Sequence, residues 1–194
     1  MKPIQELPFV AGHVALDFVN TAEDRENPAS GDALLTPADL RVWGRRYDLI
    51  GRSATCADAG AELKLAQEAR ELLYRVFHAR AHSQSPSERD LDRLSELSAE
   101  AHRAGRLRAG RDGCARWQWS RSEVSTVRHA VVSSAVELLQ ADPTPRFKQC
   151  PGDQCGWLFL DTTKRGNRRW CQMRECGQEA KDQRRRERRR DLRG

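Results

Sequence analysis

A mainly α-helical body with one small β-hairpin, followed by a compact four-cysteine module of treble-clef-like order, is the fold class this sequence predicts. Three observations carry it. Residues 1–142 show helical apolar spacing, residues 150–176 hold two cysteine pairs of equal internal gap, and positive charge rises sharply in the same C-terminal region. With 194 residues the chain can bury one core and add one small stapled module. Two domains are therefore expected, at 1–142 and 146–194.

Taken in order, residues 7–21 (LPFVAGHVALDFVNT) open with a loop at Pro8 and Gly12. From His13, the spacing of Ala15, Leu16, Phe18 and Val19 fits a short buried helix, although Val14, Leu16 and Phe18 would also suit a strand. Asp17 and Asn20 stand inside this apolar run. They either satisfy nearby backbone groups as cap or turn partners or line a pocket for an effector, and the residues leave both readings open. Residues 23–32 (EDRENPASGD) read as a polar loop.

Thr36, Pro37 and Asp39 form a helix start, and Leu40, Trp43 and Tyr47 give that helix a buried side. The longest helix is expected from about Ala59 to His82, with Leu63, Ala66, Ala69, Leu72, Leu73, Val76 and Phe77 at core spacing. His78 and His82 lie four apart on it, a metal-capable separation, yet Ala79 follows His78 and no third ligand is near. A histidine at a helix C-terminus more often complements the dipole. Ser85, Pro86 and Glu88 mark the next start, with Leu91, Leu94, Leu97 and Ala101 facing inward and Gly105 as the stop.

Gly110, Asp112 and Gly113 separate two β-like pieces, Arg106–Arg108 and Ala115–Trp119, which predicts a hairpin. Arg116, Trp117 and Trp119 could stack bases, but alternating aromatics on a strand beside helices more often fill a core. Ser122–Gln140 reads as an amphipathic helix through Val124, Val127, Val131, Ala135, Leu138 and Leu139. Asp142, Pro143 and Pro145 end it and link to the module beyond.

That module is the stretch CPGDQCGWLFLDTTKRGNRRWCQMREC. Cys150/Cys155 and Cys171/Cys176 each enclose four residues, and fifteen separate the pairs. Short gaps let one tight turn offer two sulfurs to one ion, and two such turns close a tetrahedral structural Zn²⁺ site. Pro151, Gly152 and Asp153 are turn formers, and Gly156 supplies the positive φ that such knuckles need. The expected order is knuckle, a strand at 157–160, a turn at 161–167, a return strand at 168–170, then a helix opened by the fourth ligand. Two disulfides are the competing reading. They need an oxidising compartment, and the opening residues MKPIQELPFV lack an export signal. Cys56 and Cys114 are expected to be ordinary thiols.

From residue 143 onward there are 15 Lys and Arg against 7 Asp and Glu, while the whole chain carries a net charge of only +6. The tail QRRRERRRDLRG could extend the last helix. No apolar run approaches the roughly 20 residues of a membrane span, and a cytoplasmic location is expected.

The finger also resembles a known family. Gly156, the LFLD run at 158–161, Gly166, Arg168, Arg169, Trp170, Cys171, Met173, Cys176, Gly177, Ala180 and Lys181 are similar to the CGNR zinc finger. AGHVALDFVNT at 11–21, LLTPADLRVWG at 34–44 and RWQW at 116–119 resemble the ABATE domain that precedes it in that family, described as a stress-induced transcription regulator. The resemblance covers nearly the whole chain and implies a regulator that binds DNA. One departure is plain: Cys176-Gly177-Gln178-Glu179 replaces Cys-Gly-Asn-Arg, so a positive charge at the helix start has become negative.

The expected function is DNA binding, with Cys150, Cys155, Cys171 and Cys176 on one structural Zn²⁺. Lys164, Arg165, Arg168, Arg169, Lys181, Arg184, Arg185, Arg188 and Arg189 are expected on phosphates. Asp17 and Asn20 are candidate effector ligands, and the N-terminal domain could pair two copies of the chain. The alternative is a zinc-stabilised module for RNA or an acidic protein, with thiolates open to oxidation. Four cysteine ligands leave no coordination position for substrate, and no phosphate loop or nucleophile and base pairing is evident, so no enzyme is expected.

Overall fold

The computed structural model describes residues 1–25, 27, 30–110, 112–141 and 145–191, and the architecture is that of these residues. The helices are α1 (Val14–Val19), α2 (Pro37–Arg46), α3 (Ala59–Ala81), α4 (Glu88–Ala104), α5 (Thr126–Gln140) and α6 (Gln178–Asp191). Two antiparallel hairpins complete the fold: β1 (Arg106–Ala109) with β2 (Ala115–Gln118), and β3 (Phe147–Gln149) with β4 (Leu158–Leu160). The expected fold class is the one observed. The Asp142 to Thr144 part of the expected linker lies outside the described residues.

Local chemistry sets the helix starts. Thr36 and Asp39 bond reciprocally in a capping box with Pro37 at the first position of α2. Asp58 caps α3 through the Ala61 amide, and Ser87, two residues after the expected cap Ser85, caps α4 through the Asp90 amide. The ambiguous run at 14–19 is helical, capped by His13, whose Nδ1 accepts from the Ala15 amide at 3.3 Å.

Helix α5 starts at Thr126 rather than Ser122, because the preceding residues are held elsewhere. The Val124 amide donates to Thr55 O at 3.0 Å, and Thr126 Oγ1 donates to Ser120 O at 2.7 Å. Leu91, expected inside, is 39% exposed in the first turn of α4. Trp117 and Trp119 are neither core nor open. Trp117 stacks on His102 with centroids 4.4 Å apart, and Trp119 Nε1 donates to Ala101 O, so the β1–β2 hairpin lies against the end of α4.

The core joins α1, α2, α3, α5 and the second hairpin. Trp43 meets Phe18 edge to face at 4.8 Å, and Phe77 of α3 stacks on Phe147 of β3 at 5.4 Å. Two buried ion-pair clusters brace the helices. Arg128 donates to Glu62 through Nε at 2.9 Å and Nη2 at 3.3 Å while Nη1 reaches Glu100 at 2.8 Å, and Arg70 grips Asp32 with both terminal nitrogens. The two segments expected as separate domains thus share one hydrophobic interior, from Leu16 to Phe159.

Asp17 and Asn20 are spent inside this interior. The Asp17 carboxylate accepts from the Val10 and Ala11 amides at 2.9 and 3.0 Å and from the Tyr47 hydroxyl. Burial raises its pKa against those bonds. Asn20 donates through Nδ2 to Leu158 O at 2.8 Å and accepts from the Leu158 amide at 2.9 Å, so its side chain acts as one rung of a sheet ladder against β4. Of the two readings the sequence leaves open, these bonds are those of the structural one.

Candidate metal centre and basic helix

The zinc knuckle forms the tip of the β3–β4 hairpin. Phe147, Lys148 and Gln149 pair with Leu160, Phe159 and Leu158, and the Cys150 amide donates to Trp157 O at 2.8 Å. The turn between them needs left-handed backbone, which Gly156 adopts at φ 59° and Gln154 at 58°. Gly152 has to lack a side chain, since a Cβ there would come within 3.0 Å of Cys176 Sγ.

The expected return strand at 168–170 is therefore absent, and the partner of β4 lies before the knuckle instead of after it. Arg168 explains the difference. Its guanidinium donates to Leu160 O, Trp170 O, Val10 O and Cys171 O at 2.5 to 3.1 Å and stacks over Phe159 at 4.4 Å. One side chain does here what a second strand's amides would do.

Asp161 organises the loop that follows. Its carboxylate accepts from Lys148 Nζ at 2.6 Å, from the Arg168 amide at 2.9 Å, and from both the amide and hydroxyl of Thr163. Burial alone would raise its pKa, but Lys148 and Thr163 together hold it well below the usual carboxylate range. Because the folded value is depressed, ionised Asp161 stabilises the fold at neutral pH, and that contribution fades as pH falls below 3.8 toward the folded value. Asp161→Asn is expected to be less stable than the parent at pH 7, with the gap in urea midpoint narrowing as the solution is acidified below pH 4. A gap constant with pH would overturn this account.

The second cysteine pair is set by a wide turn. Residues Met173–Gly177 form one turn of π-helix, and α6 follows directly at Gln178, so Cys176 sits at the root of α6. The four sulfurs all lie within 4.8 Å of one another, with Cys155 to Cys171 and Cys171 to Cys176 both at 3.6 Å. A tetrahedral ion with Zn–S bonds of about 2.3 Å spaces its sulfurs at about 3.8 Å, so the set fits zinc without rearrangement. Without an ion these thiols cannot ionise together. Hydrogen bonds, first from Cys155, hold Cys150 below the ordinary thiol range, while bonding to Cys150 pushes Cys155 and Cys171 above it. A divalent cation removes that conflict. The finger holds one structural zinc ion, ligated by Cys150, Cys155, Cys171 and Cys176.

Among the described residues no other cluster of metal-capable side chains occurs. His78 and His82 stack at 4.4 Å, and His82 Nε2 bonds Gln149 Oε1. Cys56 is half-buried and Cys114 exposed, both as free thiols.

The expected cations fall into two groups. Lys164, Arg165 and Arg169 are exposed on the loop, whereas Arg168 is committed inside it. Lys181, Arg184, Arg185, Arg188 and Arg189 are all exposed on α6 at spacings of 3, 4, 7 and 8 residues from Lys181, which places them on one side of the helix. Two supporting residues escaped the sequence reading. Arg146 donates to Asp161 O and Thr163 O, and Lys148 spends its ammonium on Asp161, Gly166 O and Arg168 O. Their spacing of two on a strand was the available signal.

Fold and site thus define a class: a helical body fused to a four-cysteine zinc finger that ends in an exposed basic helix. The chain belongs to the ABATE family. Residues 12–142 match its model, described as "Putative stress-induced transcription regulator", and residues 146–189 match the CGNR zinc finger. No curated protein matches the chain. No helix among the described residues is long and apolar enough to cross a membrane.

Proposed function

We propose that the protein is a DNA-binding transcription regulator whose finger and last helix form the DNA-contacting end. The observation that carries this reading is the row Lys181, Arg184, Arg185, Arg188 and Arg189, displayed on one side of a helix that starts next to a zinc ligand. Among the described residues no carboxylate pairs with any of them, so their charge is available to phosphate. Each phosphate neutralised releases counterion, which supplies affinity without reading sequence. Glu179 in the first turn of α6 favours an anion less than the family's arginine would, so the weight of binding rests further along the helix. The helical body takes the sensing or assembly role, and no catalytic step belongs to this reading.

The test is a salt titration of full-length, zinc-loaded protein on duplex DNA. With five to eight phosphates engaged, log K is expected to fall against log salt with a slope of about −4 to −7. Arg184→Glu with Arg188→Glu should lower that slope by about 2 while leaving α6 helical by circular dichroism. A flat salt response would end the reading.

Helix α6 packs chiefly on the π-turn from which it grows, which also suits a polycationic arm for RNA or an acidic protein. Competition at fixed salt separates the two: preference for duplex DNA over single-stranded RNA and polyglutamate supports the regulator, and equal or tighter binding of either competitor supports the arm.

A further inference from the structure

Between the loop and the root of α6 lies a hollow of about 590 Å³ lined by Val10, Arg169, Trp170, Gln172 and Met173. Its character is apolar within a cationic frame. Met173 is 51% exposed, and Trp170 is half-buried beside it. The two side chains converge over Gly177, where a Cβ would come within 2.5 Å of Met173 Sδ and 3.1 Å of Trp170 Cδ1. The missing side chain at Gly177 lets them form a continuous shelf.

The frame is one-signed. From Thr162 to Arg174 the chain carries Lys164, Arg165, Arg168, Arg169 and Arg174 with no acidic residue. Arg169 stands over the Trp170 ring at 5.3 Å. Glu175, the next residue, is already paired with Lys2.

A second copy of the chain would bring two positive rims together, so self-association on this patch is opposed by charge. A nucleobase meets every feature. It brings an apolar face for the thioether and indole and flanking phosphates for the arginines. We propose that the Met173–Trp170 shelf is a base-contacting subsite, taking the face of one base that it unstacks from the bound duplex, as an apolar wedge does, while Arg169 and the α6 row hold the backbone. This rests on the DNA-binding reading and adds to it a contact independent of charge.

The experiment separates the two. Fluorescence anisotropy with full-length, zinc-loaded protein and a labelled random-sequence 20-mer duplex gives log K across a salt series. The slope counts phosphates, and the intercept extrapolated to 1 M salt reports non-ionic contact. Met173→Ala should give a line parallel to the parent with an intercept about tenfold weaker, the scale of one lost stacking contact, and Met173→Leu should restore it. Where the alanine variant loses zinc, Met173→Gln keeps the chain length over Gly177 and gives the same reading. A variant line that coincides with the parent overturns the subsite and leaves DNA binding standing. A parent with no salt-dependent binding overturns the function itself. A protein dimer abolished by Met173→Ala would hand the shelf to a second copy and equally overturn the proposal.

Discussion

Removing zinc will melt the helical body along with the finger. In an independent finger, loss of the ion unfolds only the residues around it. Here β3 and β4 pack on α1 and α3, with Phe147 stacked on Phe77 and Leu158, Phe159 and Leu160 inside the common core. Zinc binding supplies about 10–16 kcal/mol of folding energy in small finger peptides near neutral pH. Only a part of that is needed to move the whole chain. If about 5 kcal/mol is transmitted through the shared interior, the melting temperature falls by about 10–20 °C at this chain length. Calorimetry of protein treated with a high-affinity chelator should show one transition shifted downward as the zinc is lost. Cys171→Ser should behave the same way, since its sulfur lies 3.6 Å from two of the other three. A body transition indifferent to chelation would show that the two parts fold independently.

Asn20→Ala will destabilise the whole chain strongly although it removes no zinc ligand. The amide bonds both polar groups of the Leu158 backbone, at 2.8 and 2.9 Å, and the site is buried. Truncation leaves a buried N–H and a buried C=O without partners, each costing about 1–3 kcal/mol. The sum, about 2–6 kcal/mol, is a large share of the stability of an ordinary domain. Urea unfolding followed by far-UV dichroism measures it, and zinc retention should weaken in parallel, because β4 leads out of the knuckle. A loss under about 0.5 kcal/mol, the scale of a neutral surface change, would show that water replaces the amide at no cost.

What the sequence made legible follows from how local each determinant is. The zinc ligands were readable from spacing alone, because a tetrahedral ion constrains sulfur gaps as strictly as any turn. Thr36-Pro37 and the period of Leu63 to Phe77 declared α2 and α3 within a residue or two of their ends. The strand partner of β4 was not readable. Phe147-Lys148-Gln149 is too short to announce a strand, and Arg168-Arg169-Trp170 looks equally eligible until the guanidinium of Arg168 is seen to bond four carbonyls. Asn20 stands out as an anomaly in an apolar run, but its partner lies 138 residues away. An arginine in a basic stretch looks the same in sequence whether it faces solvent or clamps a loop. Only packing separates Arg168 from Arg169.

The absence of slack between ion and body has a mechanical consequence. Cys176 is both a zinc ligand and the root of α6, while the knuckle on the other side of the ion grows from strands seated on α1 and α3. The bearing of the cationic helix is thus dictated by the helical body as a gear dictates its shaft. A stimulus that rotates α1 or α3 by a few degrees swings the far end of a 14-residue arm through about 1–2 Å. Domain-swap chimaeras that cut this chain at residue 145 would break the gearing, whichever half they keep.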